Sequence, residues 1–220
     1  MKNDLLPYGV IFDMDGVLVD SEEFICTAAC MMFDELGLKV QAADFLAFVG
    51  TGENRYLGGV AEKYGFALEI EKAKKRTYDI YLQIIKGHLK PLAGVYEFID
   101  KCLKAGKLLA IASSADRRKV EGNIAEIGLK KEFFKTIVTG EDVVNKKPDP
   151  EIFLLAAKRL GLNPKDCLVI EDAVSGVAAA KSAGAKCLAL TTSFNQEQLK
   201  AADFFAANLA NAPQQAIEWK

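Results

Sequence analysis

The sequence predicts an α/β protein with a doubly wound parallel sheet into which a small helical unit is inserted. In the second part of the chain, short apolar runs alternate with segments of helical periodicity, which is typical of parallel βαβ units. One further apolar run, Val10–Phe12, stands far ahead of the others, and the chain between them shows little strand character. The predicted core therefore comprises residues 1–20 and 91–220, and residues 21–90 form the helical unit, a cap.

The core elements follow from the lengths of the runs. Apolar runs too short for helices predict strands at Val10–Phe12, Leu108–Ala112, Thr136–Thr139, Cys167–Ile170 and Cys187–Leu190, with Asp203–Ala207 as a last edge strand. Between them, three- and four-residue periodicity predicts helices at Gly94–Ala105, Arg118–Ile127, Glu151–Leu160 and Val174–Ala183. A glycine follows each of these helices and is a natural terminator.

The inserted unit is predicted to be helical throughout. Its helical segments are Phe24–Leu36, Ala42–Val49, Tyr56–Tyr64 and Ile70–Ile85. Ser21 is expected to cap the first helix, where acidic residues suit the positive amino end. A loop, Gly50–Arg55, precedes the third.

Composition excludes several classes of protein. The net charge of −2 gives no reason to expect a nucleic acid or an anionic membrane as partner. The first residues lack a signal-peptide pattern, and no apolar stretch is long enough to span a bilayer, so we expect a soluble, cytoplasmic protein. Five scattered cysteines are typical of reduced thiols. With His88 as the single histidine, Ser-His or Cys-His catalysis is disfavoured.

The candidate site begins where the first strand ends, at Asp13 and Asp15. Ligands of open α/β sheets bind at the carboxyl ends of strands. Residues one apart on an extended chain point to opposite faces, but Gly16 lets the chain bend so that both carboxylates can line one pocket. Close carboxylates repel unless a cation or a proton lies between them. The pair therefore indicates a metal site, a nucleophile with an acid–base partner, or both.

Polar residues also follow the other predicted strands. They are Ser113 and Ser114 after the second strand, Lys147 in the loop after the third, and Glu171 and Asp172 after the fourth. Parallel strands gather such groups at one edge of the sheet. Oxygen ligands without histidine or cysteine favour Mg²⁺, and a lysine with a hydroxyl suits the oxygens of a phosphate.

These motifs resemble the haloacid dehalogenase-like hydrolase superfamily. The match consists of four ordered motifs: Asp13–Asp20, Ser113, Lys147-Pro148, and Glu171-Asp172 followed by Ala173 and Gly176. The inserted helices resemble the cap of the β-phosphoglucomutase-like and phosphatase branch. Within that branch, Gly50–Glu53 and Ala112–Arg117 are most similar to the hydrolase domain of a plant chloroplast protein. The resemblance implies a Rossmann-like core and covers the chain nearly end to end.

The resemblance also implies a role for each matching residue. Asp13 would attack phosphorus and form an aspartyl-phosphate, and Asp15 would protonate the leaving alcohol and then activate water. Asp13, Asp15 through its carbonyl, and Asp172 would bind Mg²⁺, with Glu171 as a further ligand or as an orienting residue. Ser113, with nearby backbone N–H groups, and Lys147 would bind the phosphoryl group.

Three functions remain open at this point. The first is a Mg²⁺-dependent phosphatase that acts on a small phosphorylated metabolite, such as a sugar phosphate. The second is a β-phosphoglucomutase, although Ile25 stands where that family has a histidine. The third is a noncatalytic binding module on the same fold.

The remaining expectations concern three further site residues and the oligomeric state. Ser114 and Gly50 are candidate substrate contacts, and Arg55 is a candidate for a distal anion of the substrate, against the alternative of a solvent-exposed charge. Lys147-Pro148 alone would be an ordinary loop and gains weight from its position. The expected partner is the small metabolite, with no nucleic acid or membrane, and the chain is expected to be a monomer or a weak homodimer.

Overall fold

The computed structural model describes residues 8–48 and 52–218, and its centre is a sheet of 6 parallel strands. The strands are β1 (Gly9–Phe12), β2 (Leu108–Ala112), β3 (Phe134–Val138), β4 (Cys167–Glu171), β5 (Lys186–Leu190) and β6 (Phe204–Ala206). Their order is β3-β2-β1-β4-β5-β6. The chain thus extends the sheet first on one side of β1 and then on the other, and the predicted doubly wound parallel sheet is confirmed.

Helices flank this sheet and fill the insertion after β1. They are α1 (Glu22–Glu35), α2 (Glu53–Lys63), α3 (Ile70–Ile84), α4 (Val95–Lys104), α5 (Arg117–Glu126), α6 (Glu151–Leu160), α7 (Val174–Ser182) and α8 (Gln215–Glu218). Ala42–Phe48, expected to be helical, forms a 3₁₀ helix, while Val49 lies outside the described residues. Over residues 8–48 and 52–218, we find no helix with the length and apolarity needed to cross a membrane.

Both faces of the sheet are buried, which explains why its strands are continuous apolar runs. Val10 and Phe12 of β1 belong to one core cluster with residues of α4 and α5, whereas Ile11 belongs to a second cluster with residues of α6 and α7. Successive side chains of a strand point to opposite faces, so a strand covered on both sides needs apolar residues at every position.

The third strand differs from its predicted bounds. It begins at Phe134 rather than Thr136, because a short 3₁₀ turn ends directly before Phe134 and the strand starts there. Phe134 also packs edge-on against Phe12, with ring centroids 6.2 Å apart. It ends at Val138 because the N–H of Thr139 donates to the Asp142 carboxylate at 2.8 Å instead of to a neighbouring strand.

The inserted helices contact the core through α5. The hydroxyl of Tyr81 on α3 donates to the Asn123 side chain on α5, and Arg118 pairs with Asp79 across the same contact. The segment that leads into the insertion and the segment that leads out of it are adjacent, since Val19 forms a β-bridge with Pro91. Residues of α1, α2 and α3 therefore share the core cluster of Phe12.

The edge-to-face pair of Phe12 and Phe98, with centroids 6.1 Å apart, gives a stability prediction. Phe98→Ala empties a site that is 2% exposed, and we expect a loss of about 3–5 kcal/mol in the free energy of unfolding, measured with urea. Leu103→Ala on the same helix, where Leu103 is 36% exposed, should cost about 1 kcal/mol or less. Equal losses for the two variants would contradict this packing.

Candidate active site

The candidate site lies at the carboxyl ends of β1 and β4, where the direction of strand addition reverses. Phe12 and Ile170 are paired in the two adjacent strands, so Asp13 and Glu171 stand at the same level of the sheet. The N–H of Asp13 donates to the Ile170 carbonyl at 3.0 Å and continues this pairing. The crevice at such a switch point is the usual ligand site of open α/β sheets.

Lys147 joins the two strand ends. Its Nζ lies 2.6 Å from Asp13 Oδ1 and 2.6 Å from Glu171 Oε1, and its side chain is 6% exposed. The other oxygen of Glu171 accepts the N–H groups of Asp172 and Ala173 at 2.9 and 3.0 Å. Glu171 is thus held on both sides, which fits the orienting role among the two that the resemblance implies.

Asp13, Glu171 and Asp172 form a buried acidic group whose ligand oxygens lie within 4.8 Å of one another. Burial, only partly opposed by Lys147, raises the pKa of Asp13 to about 7. Burial, followed by the Glu171 and Asp13 carboxylates, raises the pKa of Asp172 well above its ordinary value. Although burial alone would lower the pKa of Lys147, the two carboxylates it contacts raise it, so its ammonium stays charged.

This donor set fits a divalent cation. It offers three hard oxygen ligands, whereas Lys147 supplies a single positive charge beside them. The raised pKa values of Asp13 and Asp172 come first from burial, and the neighbouring carboxylates raise them further. A bound cation relieves the same repulsion that otherwise recruits protons.

Two glycines make room for the acidic group. A Cβ at Gly16, whose φ is +72°, would lie 1.8 Å from Asp172 Oδ2, and a Cβ at Gly176 would lie 1.9 Å from the carboxyl carbon of Glu171. The backbone of the Asp15–Gly16 turn and the first turns of α7 therefore approach the carboxylates as closely as only glycine permits.

Asp15 faces a different set of partners. Its Oδ2 lies 2.9 Å from Nζ of Lys119 on α5, and its Oδ1 accepts the hydroxyl of Ser21. The prediction that Ser21 caps α1 through its side chain is wrong. Ser21 occupies the N-cap position, but its hydroxyl donates to Asp15 instead of capping the helix. Asp15 was predicted to bind the metal through its backbone carbonyl, and its side chain lies outside the acidic group.

The predicted phosphate contacts lie at the end of β2. Ser113 is 2% exposed, its N–H donates to the Val138 carbonyl at 3.1 Å, and its Oγ accepts the Ala115 N–H at 3.2 Å. Since Phe12 pairs with Ile111, Ala112 is level with Asp13, and Ser113 lies one residue beyond it on the side opposite Glu171. Ser114 follows it and is half-buried.

Arg55 contacts residues of the inserted unit, and Gly50 lies outside the described residues. The Arg55 guanidinium pairs with Glu62 at 2.6 Å, stacks on Phe48 at 5.1 Å and is 53% exposed. Its contacts are thus those of the exposed charge that we considered as the alternative to a substrate contact. His88 is also exposed.

Comparison with known proteins decides the family. A sequence model described as haloacid dehalogenase-like hydrolase matches residues 10–190. The chain belongs to this family. The resemblance predicted from the four motifs is therefore confirmed, and the protein is a hydrolase of the haloacid dehalogenase-like type.

Individual relatives agree with this family. Protein SUPPRESSOR OF QUENCHING 1, chloroplastic, of Arabidopsis thaliana is 43% identical over 87% of this chain but only 18% of its own length, which confirms the predicted plant resemblance. The Phosphorylated carbohydrates phosphatase of Thermotoga maritima is 35% identical over 80% of this chain and 81% of its own. The crystal structure of CbbY from Rhodobacter sphaeroides in complex with phosphate has a TM-score of 0.82 over 93% of this chain and 96% of its own at 24% identity, and shares the fold.

Sequence reasoning missed two residues of this haloacid dehalogenase-like site. Lys119 is 4% exposed and contacts Asp15, and Ser193 donates its hydroxyl to Asp172 Oδ2. Lys119 leaves one signal in the sequence: it stands next to Val120 and four residues before Asn123 in the buried stripe of α5, where a charged residue is unusual. Ser193 follows β5 by three residues and carries no comparable signal.

The raised pKa of Asp13 predicts an unusual pH dependence of stability in the metal-free protein. Between the ordinary value of 3.8 and about 7, the folded protein keeps a proton that the unfolded chain releases, so stability falls as pH rises. From about pH 5 to pH 8 we expect a loss of up to about 3 kcal/mol in urea unfolding with a chelator present. Asp13→Asn should flatten the curve, whereas stability that rises with pH in the native sequence would contradict the prediction.

Gly176 predicts a second stability difference. Gly176→Ala forces the Glu171 carboxylate off Lys147 and breaks a buried ion pair, so we expect a loss of about 3 kcal/mol or more in urea unfolding. Gly58→Ala is the matched control inside α2, because its Cβ meets only the flexible end of Ile70 at 3.2 Å. That variant should be neutral or stabilised by about 0.5–1 kcal/mol, and comparable losses for both would argue against the close approach at Gly176.

Proposed function

We propose that this chain is a Mg²⁺-dependent phosphatase that hydrolyses a small phosphorylated metabolite, a sugar phosphate in the first instance, through an aspartyl-phosphate on Asp13. The observation that carries the proposal is the buried group of Asp13, Glu171 and Asp172 with Lys147 between two of its carboxylates. Such a group suits a cation and a phosphoryl group together.

The proposed cation would be held by the oxygens of Asp13 and Asp172 and by the Asp15 carbonyl, with Glu171 orienting Lys147. When bound, it offsets negative charge on the phosphoryl oxygens, so that an anionic nucleophile can approach phosphorus. Lys147, which contacts Asp13, also offsets negative charge on the phosphoryl oxygens, and Ser113 offers its hydroxyl to them at the end of β2.

The reaction divides between the two aspartates. A carboxylate oxygen of Asp13 attacks phosphorus while the bond to the ester oxygen breaks, and Asp15 gives its proton to the leaving alcohol. In the second half, Asp15 removes a proton from water, the water oxygen attacks phosphorus, and the Asp13 carboxylate is released with inorganic phosphate. Covalent catalysis thus replaces one difficult displacement with two easier ones.

Ile25 favours hydrolysis over the mutase alternative. Its side chain is 4% exposed within the main core cluster, so this position offers no hydrogen-bonding group to a sugar that must be held for phosphoryl return. The relative named a phosphorylated carbohydrates phosphatase points in the same direction for the substrate class.

We further propose that residues 21–90 form a cap that closes over the site, with Asp20–Ser21 and Lys86–Pro91 as hinges. The bridge between Val19 and Pro91 keeps the two connections adjacent, as a common hinge requires. The cytoplasm stays the predicted location, while the plant relative carries the word chloroplastic in its name.

Asp13→Asn tests the proposal directly. With 4-nitrophenyl phosphate and Mg²⁺, we expect kcat to fall by about 10³-fold or more, since the amide is a poor nucleophile. Asp15→Asn should cost about 10²-fold or more because it removes the acid–base group. Asp34→Asn, an exposed carboxylate on α1, is the control and should keep full activity.

Metal and product complete the test. A chelator should abolish turnover and Mg²⁺ should restore it. With a panel of hexose phosphates, free phosphate supports the phosphatase, whereas an isomeric sugar phosphate supports the mutase. Turnover that survives Asp13→Asn would refute the nucleophile, and a native protein that hydrolyses no ester would favour a binding module.

A further inference from the structure

Lys119 is a buried cation that the proposed reaction does not yet use. It lies on α5, is 4% exposed, and its Nζ is 2.9 Å from Asp15 Oδ2. The ring of Tyr81, from the inserted helix α3, lies beneath the ammonium at 5.8 Å. Lys119 thus lies where the core, the inserted helices and Asp15 meet.

The charge of Lys119 is maintained by its surroundings. Burial would lower its pKa, but Asp15 first, then Tyr81 and Glu53, raise it above the ordinary value. The Glu22 carboxylate also interacts with it electrostatically from α1. A buried ammonium is costly unless it is paired, and Asp15 is the carboxylate that it contacts.

The Asp15 carboxylate is consequently held at both oxygens. Lys119 fixes Oδ2 from α5, and Ser21 donates to Oδ1 from the start of α1. A hydroxyl donor is easily exchanged for another hydroxyl, whereas a buried ion pair is not. The oxygen facing Ser21 is therefore the one that remains free to exchange its partner for an alcohol or a water molecule.

We propose that Lys119 is a positioning residue that orients the Asp15 carboxylate, so that one of its oxygens can exchange a proton with the leaving alcohol and then with water. This inference rests on the acid–base role of Asp15 in the proposed function. Lys119 contacts Asp15, whose side chain lies outside the acidic group of Asp13. Its loss should therefore affect proton transfer and spare phosphate binding.

Two aryl phosphates separate these effects. The leaving oxygen of phenyl phosphate is basic and needs a proton as it departs, whereas 4-nitrophenolate leaves readily as an anion. Only the phenyl ester therefore depends strongly on a well-placed acid. For Lys119→Met we expect kcat/KM, which reports the steps up to release of the alcohol, to fall by about 10²-fold on phenyl phosphate and by about threefold or less on 4-nitrophenyl phosphate. Competitive inhibition by inorganic phosphate should change by about twofold or less, because phosphate binding is spared.

Lys74→Met is the matched control. Lys74 pairs with Asp116 at 3.0 Å across the same contact between α3 and α5, is 16% exposed, and does not touch Asp15. This variant should leave the ratio of the two kcat/KM values unchanged. A ratio shifted as far as in Lys119→Met would show that any disturbance of this contact acts alike, and would overturn the inference.

The remaining outcomes are also decisive. Equal losses on both esters in Lys119→Met overturn the positioning role and leave the proposed phosphatase intact. A native protein inactive on both esters refutes the proposed function, and this inference with it. If the Met variant does not fold, Lys119→Gln keeps a polar side chain in the buried site but removes the charge and shortens the side chain, so that the ion pair with Asp15 is lost: a ratio shifted in the same direction supports the inference, and an unchanged ratio overturns it.

Discussion

The structure depends on holding three carboxylates together at one buried point. Asp13, Glu171 and Asp172 cannot move apart, because adjacent strands in fixed register carry them. Lys147 and two backbone N–H groups compensate part of the charge, and the remainder raises the affinity of the site for a proton or a cation. The chemistry of the site thus follows from the geometry of the sheet, which creates an electrostatic demand that a ligand can satisfy.

This part of the site could be predicted from the sequence because its signals are local. In a parallel sheet buried on both faces, each strand is an apolar run, and the first polar residue marks its carboxyl end. Asp13, Ser113 and Glu171 each stand at such a transition, and the parallel topology brings them together. The parallel direction of the strands itself follows from the alternation of strands and helices. The predicted ends of β3 were less accurate, because a 3₁₀ turn determines where the strand begins and the side chain of Asp142 determines where it ends.

The residues around Asp15 were harder to predict because tertiary packing selects them. Ser21 has the right type and position for a helix cap, but its hydroxyl donates to the carboxylate of Asp15, six residues earlier. Lys119 lies on α5, and its contact with Asp15 depends on how α5 packs against Tyr81 and the inserted helices. A rule that reads strand ends finds neither residue. A charged residue in the buried stripe of α5 is the one signal that Lys119 leaves in the sequence.

The two aspartates differ because a single residue separates them. Asp13 turns toward Lys147 and Glu171, both supplied by the sheet and its loops, whereas Asp15 turns toward Lys119, whose surroundings include the inserted helices. The proposed nucleophile is therefore held by the core alone, while the proposed acid–base group is held at the junction with the insertion. A change in how those helices pack on α5 reaches Asp15 through Lys119 without passing through Asp13. The proposed acid–base group is thus the one whose surroundings include the inserted helices.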